Sequence, residues 1–220
     1  MASPPNFLDA LDRLPIFPLP QVVFFPEAML PLHVFEPRYR VMLRDCLTTH
    51  GAMAIVQALP GEDDQGRPRI AEIAGGGVVV EHQPLGDGRS NIVVVGKARL
   101  RLHEIDQDEA LPYRIARATV LEDRVVTVPE HDRTALVAAA SMFAAEVKKH
   151  DPHFTFKMPK VLEAPHLADL CAFQLIVDAS ARQAVLDELD PRVRVSMVLD
   201  QLALQHGAMM RTDVDDRVLN

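Results

Sequence analysis

The apolar residues of this 220-residue chain change their spacing at about residue 128. That change constrains the fold more than any other feature. Before it, apolar residues come in short runs broken by Pro and Gly. Beyond it, they recur every three to four residues. Strand side chains alternate with period two and helical ones with period 3.6. The chain is therefore expected to build a β-rich part first and a helical part second, an α+β arrangement.

The β-rich part opens on Leu14-Pro15-Ile16-Phe17-Pro18-Leu19, then Val22-Val23-Phe24-Phe25-Pro26, then Met29-Leu30-Pro31-Leu32-His33-Val34. Proline cannot donate to a strand ladder, so each run reads as a short, bent edge strand. One helix follows. Tyr39, Met42, Leu43, Cys46 and Leu47 share a helical face. Glu36 and Pro37 suit its start, and Gly51 its C-terminal cap. Met53 to Leu59, Ile70 to Ala74, Val78 to His82, Ile92 to Val95, Lys97 to His103 and Tyr113 to Leu121 then read as strands. Gly75-Gly76-Gly77 reads as a hairpin or bulge, and Gly86-Asp87-Gly88 as a hairpin turn. On the Lys97 to His103 strand, Ala98, Leu100 and Leu102 face inward, with Lys97, Arg99, Arg101 and His103 on a wet face. The whole suggests a small, mostly antiparallel barrel with one embedded helix.

In the second part Leu136, Ala140, Phe143 and Val147 line a helix entered after Pro129 and Glu130. Leu167, Leu170, Cys171, Gln174 and Val177 line another after Pro165. Ser180 with Gln183 matches a capping box opening a short helix that carries Val185, Leu186 and Leu189. Asp190-Pro191 starts a last helix carrying Val195, Val198, Leu199 and Leu202. The expected organisation is a β subdomain at 11–127, a helical bundle at 128–208 and a polar, frayed tail at 209–220.

Charge and composition narrow the function. The net charge is −8, against the clustered Lys and Arg that phosphate backbones require, so nucleic acid is not an expected partner. No run approaches the roughly 18 apolar residues of a membrane span. Met1-Ala2-Ser3-Pro4-Pro5 lacks the pattern of a signal peptide. Cys46 and Cys171 sit in apolar helical patterns as buried thiols, consistent with a cytoplasmic location.

The tests for chemistry come back negative. Gly75-Gly76-Gly77 leads into Val78-Val79-Val80 with no Lys, which does not fit a phosphate loop. His150-Asp151-Pro152-His153 is broken by proline and reads as a helix end, and no zinc spacing occurs. His33 reads as a structural histidine on an apolar strand. Ser141 has Lys148 and Lys149 on its helix but no Gly-rich donors nearby. No catalytic residue, metal or cofactor is assigned.

Several stretches carry a family resemblance. Leu14 to Leu19, Val22 to Pro26, and Leu30-Pro31-Leu32-His33-Val34-Phe35-Glu36-Pro37-Arg38-Tyr39 resemble the opening of the Lon protease N-terminal domain family. Val95-Gly96-Lys97-Ala98-Arg99-Leu100, Leu111-Pro112-Tyr113 to Glu122, and Ala164 to Val198 resemble its later strands and closing helices. The resemblance spans about residues 11 to 205 and implies a PUA-like β pseudo-barrel followed by a C-terminal helical bundle. It also implies a non-catalytic module that recognises unfolded or tagged polypeptides, with a protease or chaperone component as partner. In Lon this domain precedes an ATPase and a serine–lysine peptidase, whose motifs this sequence lacks.

The strand-to-helix corner at Phe35, Glu36, Arg38 and Tyr39 is the expected peptide-binding surface, because it joins apolar area to both signs of charge. Lys97, Arg99 and Arg101 form a candidate anion-binding face, with Arg89, Arg114 and Arg117 near in sequence. Two rival readings follow: RNA or modified-nucleotide binding through that basic strand, or a small-molecule site in a cleft between barrel and bundle.

Overall fold

A computed structural model describes residues 6–105, 111–159 and 161–218, with side chains to Arg211. Met1 to Pro5, on which the signal-peptide test rested, lie outside the described residues. The chain divides into two compact units, Met1–Glu122 and Asp123–Asn220.

The first unit starts with a 3₁₀ helix, Phe7–Arg13, that the apolar spacing does not announce. Strands β1 (Leu14–Pro20), β2 (Met29–Val34), β3 (Ala52–Glu62), β4 (Pro68–Ile70), β5 (Ile73–Pro84), β6 (Ser90–Glu104) and β7 (Arg114–Leu121) follow, with helix α1 (Pro37–Thr48) between β2 and β3. β1 pairs parallel with β3 and antiparallel with β7, so β1-β7-β6-β5-β3 closes into a ring. A barrel of few strands has a narrow interior. Here it is filled largely by alanines, with Leu14, Ile16, Val56, Leu100 and Leu102. Phe7 enters this interior: a Cβ on Gly76 would lie 2.7 Å from its Cζ. β6 is long enough to take two partners on one edge, β2 along Ser90–Val95 and β7 along Arg99–Glu104.

Gly75-Gly76-Gly77, expected as a hairpin or a bulge, is the bulge: it lies inside β5 with a register shift at Gly76/Gly77, and Lys97 is the extra residue on β6. Two other expectations fail here, for one reason. Val22 to Pro26 is a loop, not a strand, and Val23, Phe24 and Phe25 are buried. The Lys97–Arg101 face is not uniformly wet, since Arg99 is only 4% exposed. The glycines explain both. A Cβ on Gly75 would stand 2.1 Å from Phe24 O, and one on Gly96 2.0 Å from Phe25 O. The missing side chains leave a trough in the barrel wall, and the Phe24-Phe25 loop fills it. The Arg99 guanidinium lies 6.0 Å from the Phe25 ring. Burying two phenylalanines contributes about 1.5–3 kcal/mol each.

α1 buries Tyr39, Met42, Leu43 and Cys46 as expected, but Leu47 is 39% exposed. Gly51 takes φ 65° and donates its N–H to Cys46 O at 2.7 Å, ending the helix.

The second unit contains α2 (Glu130–His150), α3 (Ala164–Leu175), α4 (Ala179–Asp187) and α5 (Pro191–Val218). α3 turns Gln174 outward and buries Leu167, Ala168, Cys171, Ala172 and Leu175, the small residues facing the core. Val177 is exposed beyond its end. Asp178, not Ser180, caps α4: its Oδ1 accepts from Ala181 N at 2.7 Å. α5 runs through the expected frayed tail as far as Val218, and Leu219 and Asn220 lie outside the described residues. Arg194 lies at the centre of this unit, fully buried. It holds Asp123 through two bonds of 2.6 and 2.7 Å, and its Nε is 3.1 Å from Asp169 Oδ1.

Candidate functional site

The strand-to-helix corner is built by β2 delivering an extended residue into a proline-started helix. Glu36 has φ −65° and ψ 136°, and Pro37 occupies the first turn. The Glu36 carbonyl accepts from Tyr39 N at 3.0 Å and Arg40 N at 2.9 Å. Its carboxylate is thereby turned outward, where it meets Arg38 Nε at 3.0 Å. That pair is about half exposed and contributes little to stability. Phe35 projects into solvent, 57% exposed, with the His33 imidazole stacked at 5.9 Å. The His33 Nδ1 in turn lies 2.8 Å from Asn91 Oδ1.

Tyr39 differs from the other three corner residues. It is 7% exposed and packs on Phe17 with ring centroids 4.3 Å apart. Burial raises its hydroxyl above the ordinary tyrosine range. The Arg38 guanidinium covers its ring at 4.6 Å. Tyr39 therefore holds Arg38 in place from below, while Phe35, Glu36 and Arg38 form the accessible surface.

Two concave surfaces flank α1. On one side a cavity of about 260 Å³ is lined by Arg38, Tyr39, Pro68, Tyr113 and Arg114 among others. Its charges are matched. Arg114 holds Glu104 through two contacts, Nε at 2.8 Å and Nη2, and gives Nη1 to Pro68 O at 2.7 Å. Arg67 holds Asp63 at 2.8 Å; the backbone N–H of Arg67 first, then its side chain and the N–H of Gln65, lower the Asp63 carboxyl to about 2. Tyr113 donates to Asp45 at 2.9 Å. On the other side a groove of about 590 Å³ runs between α1 and the β5–β6 hairpin. Leu43, Leu47 and Leu85 form its apolar walls, and Arg40, Arg44 and Arg89 its charged ones.

The anion face expected on β6 is not assembled as one surface. Lys97 is exposed at the bulge, Arg99 is buried beside Phe25, and Arg101 Nε sits 2.8 Å from Glu72 Oε1 without hydrogen-bond alignment. The sequence reading missed Arg40 and Arg44. Their i, i+4 spacing on the exposed side of α1 was the available signal. His150 ends α2, and Asp151 Oδ1 accepts from His153 N at 2.9 Å, a helix-end loop as expected. Among the described residues no cluster of His, Cys, Asp and Glu could hold a metal ion. None of the described helices is long and apolar enough to cross a membrane.

Residues 13–203 match the family described as the ATP-dependent protease La (LON) substrate-binding domain. The chain belongs to that family. Among curated relatives, the Lon protease of Anaeromyxobacter dehalogenans is 30% identical over 208 residues, covering 91% of this chain and 24% of its own. Lon protease 2 of Myxococcus xanthus is 30% identical over 209 residues, covering 91% and 25%. The chain thus spans about a quarter of the length of these Lon relatives. A Lon N-terminal domain protein from Xanthomonas campestris superposes with a TM-score of 0.64 at 21% identity, over 86% of this chain and 97% of its own. The N-terminal domain of a Mycobacterium avium complex Lon protease gives 0.65 at 13% identity, over 87% and 98%. These two likenesses establish the Lon N-domain fold.

Proposed function

We propose that this Lon-type substrate-binding domain is a non-catalytic module that takes up unfolded or tagged polypeptide in the cytoplasm, in the service of proteolysis or protein quality control. The observation that carries this reading is the family match over residues 13–203 together with an exposed aromatic, Phe35, beside the Glu36–Arg38 pair. An apolar side chain bordered by both charges suits a chain with mixed side chains better than one defined small ligand. The partner is a polypeptide, or a protease or chaperone component that receives it. The ion pairs behind Tyr39 favour a structural role for those charges over acid–base or nucleophilic chemistry.

The test is binding of a reduced, carboxymethylated unfolded protein, followed by surface plasmon resonance. Changing Phe35→Ser and Arg38→Ala together removes most of the accessible surface but leaves Tyr39 in the core. The affinity is expected to fall by about tenfold, the effect of removing a binding hot spot of roughly 1.4 kcal/mol. Unchanged affinity in a variant that melts like the parent would refute the corner as the binding surface. Absence of any polypeptide binding by the parent would refute the function.

A further inference from the structure

We propose that the groove between α1 and the β5–β6 hairpin selects the acidic–apolar segments of a polypeptide; this rests on the polypeptide-binding reading above and specifies its substrate class. The lining is unusual for this chain. Acidic residues outnumber Lys and Arg by 31 to 23 overall, yet the groove is lined by three arginines and by no Asp or Glu. Arg89 and Arg44 each have a carboxylate neighbour just outside the lining, Asp87 at 2.6 Å and Asp45 at 3.2 Å. Asp45 also accepts from Tyr113 at 2.9 Å, which divides its charge between two donors.

Arg40 differs from both. No carboxylate of the described residues lies within 4 Å of it. It reaches across to the hairpin turn instead, where a Cβ on Gly88 would stand 2.0 Å from its Nη2. Gly88 has φ 83°, so glycine suits the turn and at the same time leaves room for the guanidinium. Arg40 and Arg89 both line the groove; Asp87 holds Arg89, which leaves the Arg40 guanidinium as the charge a ligand carboxylate would meet. At physiological salt, charges beyond about 8 Å are screened, so the local arginines outweigh the −8 of the whole chain for a ligand seated there.

The apolar walls determine the rest of the ligand. Leu43, Leu47 and Leu85 offer aliphatic contact, and Leu47 is exposed although it belongs to the apolar stripe of α1. A nucleic acid would want aromatic stacking platforms, and no Phe, Tyr or Trp lines the groove. Leu or Val side chains interspersed with Asp or Glu match both features. The basic rim also sets a direction of selection, because Lys-rich segments would be repelled.

The test uses short dye-labelled peptides of Leu and Ser carrying either Glu or Lys, read by fluorescence anisotropy, with the carboxymethylated unfolded protein as a second probe. The Glu peptide is expected to bind, more weakly as salt rises, and the Lys peptide to bind at least about tenfold more weakly. Arg40→Glu with Arg89→Glu is expected to weaken the Glu peptide about tenfold or more and to improve the Lys peptide. Both side chains are exposed, so the variant should melt like the parent; Arg40→Gln alone gives a milder check, a loss of about two- to fivefold. Equal affinity for the two peptides, or an unchanged Glu-peptide affinity in the charge-reversed variant, overturns the selection. If the unfolded protein still binds in that case, polypeptide binding stands and only the groove assignment falls. Displacement of the Glu peptide by single-stranded RNA at matched charge would overturn it in favour of nucleic acid.

Discussion

Replacing Arg194 by methionine should unfold the helical unit more readily than any surface change. Arg194 is 0% exposed, and its guanidinium holds Asp123 through bonds of 2.7 and 2.6 Å, Glu188 O at 3.1 Å and Asp169 at 3.1 Å. Asp169 is itself 2% exposed, so removing the guanidinium takes the Arg194 charge, 3.1 Å away, from a carboxylate in the core. Breaking a buried pair on one side costs about 3–5 kcal/mol. Unfolding entropy is about 2.1 cal/mol/K per residue, or about 0.2 kcal/mol/K for the 98 residues of 123–220. The midpoint should therefore fall by about 15–25 °C, read by circular dichroism at 222 nm, where the helices dominate. Adding Asp169→Leu to Arg194→Met should recover more than half of the loss, since an apolar pair replaces a broken ionic one. Asp123 is a third exposed and can return to water. A loss below about 1 kcal/mol for Arg194→Met, or no recovery in the double variant, would refute the buried-charge account.

Two further outcomes follow from packing and burial. Gly96→Ala drives a methyl to 2.0 Å from Phe25 O, backbone that cannot move aside, and should cost about 3 kcal/mol or more in urea unfolding; a neutral result would refute the glycine trough. Burial raises the Cys46 and Cys171 thiols from 9.0 to about 12. The folded state then keeps protons that the unfolded state releases, so their contribution is complete below pH 9 and declines as pH rises towards about 12. Stability should fall between pH 9 and 10 by up to about 1.4 kcal/mol per pH unit for each thiol. A Cys46→Ala, Cys171→Ala variant that keeps the same slope would refute this assignment.

The sequence by itself determined the class of each half, most of the strands, the embedded helix and the corner at Phe35, Glu36 and Arg38. These follow from side-chain period and from proline and cap chemistry, which act within a few residues. The corner was legible as a strand-to-helix junction because Glu36 and Pro37 mark a helix start directly after an extended run. Other features required the tertiary structure. Val22 to Pro26 reads as a strand from its own residues, yet it becomes a buried loop because Gly75, Gly77 and Gly96, far away in sequence, leave the space for it. Arg99 obeys strand alternation but is covered by that same loop. Tyr39 belongs to the apolar stripe of α1 by spacing, but that its ring packs on Phe17 and carries the Arg38 guanidinium is visible only in the fold. The groove arginines come from α1 and from a hairpin about 45 residues later, so only the barrel's closure puts Arg40 beside Gly88. Local propensity is encoded residue by residue, whereas burial and charge pairing depend on which distant segment arrives, and the folded backbone alone decides that.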